Sequence, residues 1–159
     1  KSNHINEICH AIAASTCKKK TDMGKVLHTC ADKFRRRGIV VVISDMFENE
    51  EKLLAGVQHL RHIGHDVVML QVLDRYELTF PFESLTQFIG MEGYPTLLVD
   101  PRPLRQAYIE EITNAIKKLR RGCTQNRIDF ETVCTDQMLD VALAKYLATR
   151  QASMAHKHR

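Results

Sequence analysis

The 159-residue sequence predicts an α/β fold of three layers, a mainly parallel sheet flanked by helices. Three observations carry this expectation. The stretches "GIVVVISD" (38–45) and "DVVMLQVLD" (66–74) are apolar almost without interruption, as strands covered on both faces of a parallel sheet must be. Between them, "ENEEKLLAGVQHLRHIGH" repeats its apolar residues at helical spacing. Strand, helix and strand fall within about 35 residues, the span of a βαβ unit with a right-handed crossover.

From the amino end, "INEICHAIAASTC" places Ile5, Ile8, Cys9 and Ile12 on one helical face. Thr21 and Asp22 form the N-cap region of a second helix, striped by Met23, Val26, Leu27, Cys30 and Phe34 and stopped by Gly38. The helix beginning around Asn49 has an acidic first turn, which suits the positive end of its dipole, and stops at Gly64. Between Asp74 and Asp100 the prolines and glycines predict an irregular excursion with a hairpin, using short β-like pieces at Leu78–Phe80 and Thr96–Val99. A long amphipathic helix follows, carrying Leu104, Tyr108, Ile112, Ala115, Ile116 and Leu119. Ile128, Phe130 and Val133 mark a third strand, and 136–151 the last helix. Residues 1–151 read as one domain and 152–159 as a frayed, disordered tail, with no internal repeat.

An apolar share of 44% and a charged share of 26% are ordinary for a soluble globular domain. There is no apolar run of membrane-spanning length and no secretory leader pattern. Basic runs stand at Lys18–Lys20, Arg35–Arg37, Lys117–Arg121 and the carboxyl end, and the formal charge is +4. Tryptophan is absent and few aromatics lie near these runs, so the base-stacking platform of a nucleic-acid binder is not expected. The five cysteines (9, 17, 30, 123, 134) form no CxxC pair. They predict neither a disulfide framework nor a zinc site but small core residues at Cys9, Cys17 and Cys30, in a cytoplasmic protein.

The chemistry lies at the end of the first strand. Ligands of open α/β sheets bind beyond the carboxyl ends of strands, where Ser44 and Asp45 fall. Thr21, opening the preceding helix, belongs near the same edge, and a hydroxyl with a carboxylate is the oxygen set Mg²⁺ accepts. The same residues also read simply as caps of their helices. His59, His62 and His65 read as cations at a helix C-terminus. Asp74, Asp100 and Asp136 read as turn residues or helix caps, Asp136 capping the last helix. Neither a GxSxG, Walker A or GxGxxG motif nor a nucleophile triad occurs, so an enzyme is not expected.

The stretch "TDMGKVLHTCADKFRRRGIVVVISDMFENEEKLLAGVQHLRHIGHDVVMLQVLD" resembles the C-terminal half of the bacterial domain of unknown function 58 family, a branch of the von Willebrand factor A-like proteins. The likeness continues through "LTFPFE", "LLVDPRPLRQAYIEEI", "LRRGCTQNRIDF" and "CTDQMLDVALAKYLATR". In that superfamily a metal-ion-dependent adhesion site joins a DxSxS motif, a Thr on a later loop and an Asp ending a strand such as "ISDL". The resemblance therefore implies metal-site roles for Thr21 of "TDM" and Asp45 of "ISDM", supported by Asp22 and Ser44. No DxSxS occurs in the sequence; the resemblance sets it upstream of Lys1, on strands this stretch would lack. Lys18–Lys20 would repel a cation beside Thr21, so weak or no Mg²⁺ binding is expected. A sheet lacking its first strand would leave an apolar edge, so a homodimer joined through that edge is expected. The function implied is protein–protein interaction, with a MoxR-type AAA+ ATPase as partner. The alternative is a metal-dependent hydrolase or nuclease-like enzyme, in which Asp45, Asp74 and Asp136 would have to converge.

Overall fold

The computed structural model describes residues 2–16, 22–90 and 94–157. Its elements, in chain order, are α1 (Ser2–Ala14), α2 (Met23–Lys33), β1 (Ile39–Ser44), α3 (Glu50–His62), β2 (Asp66–Leu73), α4 (Arg75–Thr79), β3 (Thr86–Phe88), β4 (Leu97–Val99), α5 (Arg105–Gln125), β5 (Asp129–Cys134) and α6 (Leu139–Lys157). The β1, β2 and β5 strands form a parallel sheet in the order β1-β2-β5, with Val41 beside Val68 and Leu70 beside Glu131. The expected α/β architecture is present, a parallel sheet with helices on both faces.

Alternation along the strands sends Val42, Val67 and Met69 into one layer. There they meet Leu27 and Ala31 of α2, Leu53, Val57 and Leu60 of α3, and Leu119 and Cys123 of α5. The α2–α3 crossing is tight because it is built on glycine. A Cβ on Gly56 would stand 2.7 Å from the Leu27 Cβ, and one on Gly24 would stand 2.9 Å from the Lys52 carbonyl oxygen. Both obstacles are backbone or the root of a side chain, so neither can swing away.

Among the described residues, α6 forms the opposite layer. Leu143, Tyr146 and Leu147 lie over Val68 and Leu70 and bound an apolar cleft that opens onto Ile39 and Val41. Arg150 pins the helix to the strand starts, reaching Asp129 Oδ2 at 2.7 Å and Asp66 Oδ2 at 3.2 Å. Over β1 this layer leaves the sheet bare: Ile39 is 67% exposed and Ile43 65%. The apolar run at 39–43 is thus covered on one face only.

Local signals account for three of the helix starts. The carboxylate of Asp22 accepts from Lys25 N–H, and the Asn49 side chain from Lys52 N–H. Asp74 forms a capping box with Glu77, which nucleates α4 over residues that read as partly β-like, Leu78 and Thr79. The expected hairpin is β3–β4, antiparallel with Gln87 opposite Leu98. Phe80, Phe82, Phe88 and Tyr108 gather into one aromatic cluster that joins this excursion to α5. At the carboxyl end α6 continues to Lys157, so helix takes in most of the 152–159 stretch expected to fray. Ala152 and Ala155, both strong helix formers, favour that continuation.

Two smaller expectations also change. Cys9 is exposed rather than a core residue, and the α1 stripe of Ile5, Ile8 and Ile12 is exposed with it. The Cys17 position lies outside the described residues. His65 lies beyond the end of α3 and is buried, its Nδ1 accepting the Gly38 N–H at 3.2 Å. His65 is thus a buried hydrogen-bonding residue at the turn into β2 rather than a member of the α3 end itself.

Candidate functional site

The carboxyl edge of β1 is shaped by three side chains. Ser44 Oγ accepts from Met46 N–H at 3.1 Å, and Asp45 Oδ1 accepts from Phe47 N–H at 3.2 Å. These bonds hold Met46 in the left-handed region at φ 62°, an uncommon conformation for a side chain of its size. From within the sheet, buried Gln71 donates Nε2–H to the Asp45 carbonyl at 3.2 Å and accepts from the Thr132 hydroxyl at 3.4 Å. All three strands of the sheet therefore contribute to fixing the Asp45 turn.

The start of α2 lies beside this turn. Met23 N–H donates to Glu48 Oε2 at 2.8 Å, across 25 positions of sequence. Asp22, the N-cap of α2, is thereby set next to the loop that follows Asp45. Each of the three carboxylates spends one oxygen on a backbone N–H: Asp22 on Lys25, Asp45 on Phe47 and Glu48 on Met23. Thr21 lies outside the described residues. Glu48 is the member that sequence reasoning missed. Its signal was there, in the acidic run "FENEE", but it reads as charge for the α3 dipole rather than as a bridge to α2.

As to a cation, the donors are hard oxygens of the right kind, yet among the described residues no three His, Cys, Asp or Glu side chains are grouped closely enough to hold a metal ion. Asp22, Asp45 and Glu48 share an edge without forming a cage. The same holds across the α2–α3 crossing, where His28 Nδ1 and His59 Nδ1 approach to 3.0 Å as a pair without a third ligand.

A family model described as "Protein of unknown function DUF58" matches residues 1–118. The chain belongs to the DUF58 family. No curated protein and no solved structure matches it. The DUF58 match covers β1, β2 and both pieces of the Asp22–Asp45 edge, and ends within α5.

The other strand-end carboxylates of this DUF58 chain form a separate network. Asp74 caps α4 and accepts from Thr135 Oγ1 at 2.7 Å. The Tyr76 N–H and then the Thr135 hydroxyl hold its carboxyl below the ordinary value of 3.8. Asp136 is not a cap of α6; it pairs with the Arg75 guanidinium, which lowers its pKa. That pairing joins residues 61 positions apart, so no local pattern announced it. Asp100 accepts from the Arg102 N–H and ion-pairs with its guanidinium. Asp45 takes no part in these bonds; its carboxylate partners lie in its own turn. Convergence of Asp45, Asp74 and Asp136, which the hydrolase alternative requires, finds no support in these bonds.

Proposed function

We propose that this DUF58 chain is a protein-interaction module that resembles the von Willebrand factor A-like partners of MoxR-type AAA+ ATPases. Thr21 and Asp45, with Asp22 and Ser44 in support, are two of the three pieces of a metal-ion-dependent adhesion site. The observation that carries the reading is the Met23–Glu48 bond, which sets the α2 start beside the Asp45 turn as such a site would need. The positive charge of Lys18–Lys20 would weaken Mg²⁺ binding beside Thr21. A partner carboxylate would complete the coordination, and the energy of association would come from the surrounding protein surface. No helix among the described residues is long and apolar enough to cross a membrane.

The test is biolayer interferometry of the chain against a MoxR-type ATPase, with Mg²⁺ and with EDTA. Binding that weakens in EDTA and in Asp45→Ala is expected. Failure to bind, or binding indifferent to both changes, overturns the reading.

A further inference from the structure

Two imidazoles meet where the α2–α3 crossing reaches solvent. Gly24 lies against Lys52, Gly56 lies against Leu27, and further along both helices His28 faces His59. The two helices therefore run side by side in the same direction through three successive contacts. The Nδ1 atoms of His28 and His59 are 3.0 Å apart. Their rings meet head on, with centroids 5.2 Å apart and planes tilted by 45°. His28 is exposed and His59 half-buried, so water reaches the pair.

Between neutral imidazoles, one Nδ1–H donates and the other Nδ1 accepts. When the shared proton moves to the donor's own Nε2, both Nδ1 lone pairs become free and no proton is released. Imidazole bonds to a first-row ion are about 2.0–2.1 Å long, and at that length nitrogens 3.0 Å apart subtend about 95° at the ion. That is the angle between neighbouring ligands in a tetragonal or octahedral shell, the geometry of Cu²⁺ and Ni²⁺. Tetrahedral zinc would need the nitrogens about 3.3–3.4 Å apart. Both rings must tilt towards solvent to point at one ion, and their exposure leaves room for that. The backbone beneath them does not have to move. The close contacts at Gly24 and Gly56 hold the helices together and so hold the spacing of the two nitrogens. Among the described residues no third His, Cys, Asp or Glu is grouped with the pair, so water fills the other positions.

We propose that His28 and His59 form a binding site for a late divalent transition metal, Ni²⁺ or Cu²⁺, held through both Nδ1 atoms and otherwise by water. Cu²⁺ binds more tightly than Ni²⁺ at such a site, as the general order of affinities for nitrogen ligands requires. Mg²⁺, a hard ion that takes oxygen ligands, is not accepted. A bound ion ties α2 to α3. The site lies within one helix pair and does not depend on the adhesion-site reading, whose oxygen ligands belong to the Asp45 turn.

Calorimetric titration of the chain with Ni²⁺, with thermal melts alongside, tests it. Ni²⁺ should bind and raise Tm, as any ligand of the folded state does, and an excess of Mg²⁺ should not displace it. Outer partners of a metal ligand are already worth about 10–100-fold in affinity, so His28→Ala and His59→Ala should each weaken Ni²⁺ by at least about tenfold. The two together should weaken it hardly more than either alone, because both serve one ion. His28→Gln keeps an acceptor for the His59 ring and is the second variant should alanine impair folding; it should lose the ion too. Replacing both His156 and His158 with Ala removes the histidines of the carboxyl end and should change nothing, nor should Asp45→Ala. Absence of Ni²⁺ binding overturns the proposal. So does binding that survives His28→Gln and His59→Ala, or that vanishes with the carboxyl-end histidines, which would mean an adventitious ion only.

Discussion

Gln71 is a buried polar residue in a strand whose other inward positions are apolar. Its amide is satisfied at both ends, by the Asp45 carbonyl and the Thr132 hydroxyl, and so it ties the β1 turn to β5 through β2. Replacing it with Leu keeps the volume but strands both partners. We expect Gln71→Leu to cost about 1–3 kcal/mol, read as a lower urea midpoint with unchanged slope. An unchanged midpoint would mean that water satisfies the Asp45 carbonyl. Residue-scale roles like this one are the least legible in sequence. Gln71 sits inside "DVVMLQVLD" as a lone interruption, and only the register, Ser44 beside Gln71 beside Thr132, gives it a purpose. Glu48 and Met46 are similar, since their roles depend on a helix start 25 positions away and on a left-handed turn that no glycine marks. Asp45 was legible because a carboxylate ending an apolar strand is itself anomalous.

Among the elements, those held by local chemistry were readable and those held by distant partners were not. Asp22 and Asn49 cap α2 and α3 where turn chemistry placed them. In α4, by contrast, the capping box of Asp74 and Glu77 overrode the β-leaning residues that follow it. That cap has a consequence for pH. The Asp74 carboxyl is lowered by the Tyr76 N–H and the Thr135 hydroxyl, and that of Asp136 by Arg75. A group whose folded pKa is depressed stabilises the fold above its unfolded value and loses that contribution as pH falls through the folded one. Below the ordinary 3.8, therefore, the α4–β5 junction should loosen first. Protection of the Tyr76 and Glu77 amides against hydrogen exchange, relative to their intrinsic rates, should fall on acidification, and Asp74→Asn should flatten that fall. Equal acid sensitivity in the variant would assign the effect to other carboxylates.

For the molecule as a whole, the layers differ in thickness. One face of the sheet carries α2, α3 and α5, while the other carries α6, which stops short of β1. Sequence showed that β1 and β2 were strands of one parallel sheet, because continuous apolar runs leave few other choices. It could not show that only one face of β1 is covered, because a run of five β-branched residues looks the same whether it is bare or buried. The strand order has a further effect, on time rather than on shape. The β1–β2 ladder closes over the short α3 crossover, with Gly38 and His65 27 positions apart, whereas the β2–β5 ladder joins Gln71 to Thr132 across 61. Longer closures are the slower ones to be rewarded by contacts. The β1-α3-β2 unit should then form the folding nucleus, with β5 and α6 adding after the barrier. In stopped-flow chevrons, Leu53→Ala should slow refolding and Val133→Ala should chiefly hasten unfolding; the reverse pattern would put β5 in the nucleus. How long a folded molecule survives before it opens is then governed by how tightly β5 and α6 close over a core that assembled without them.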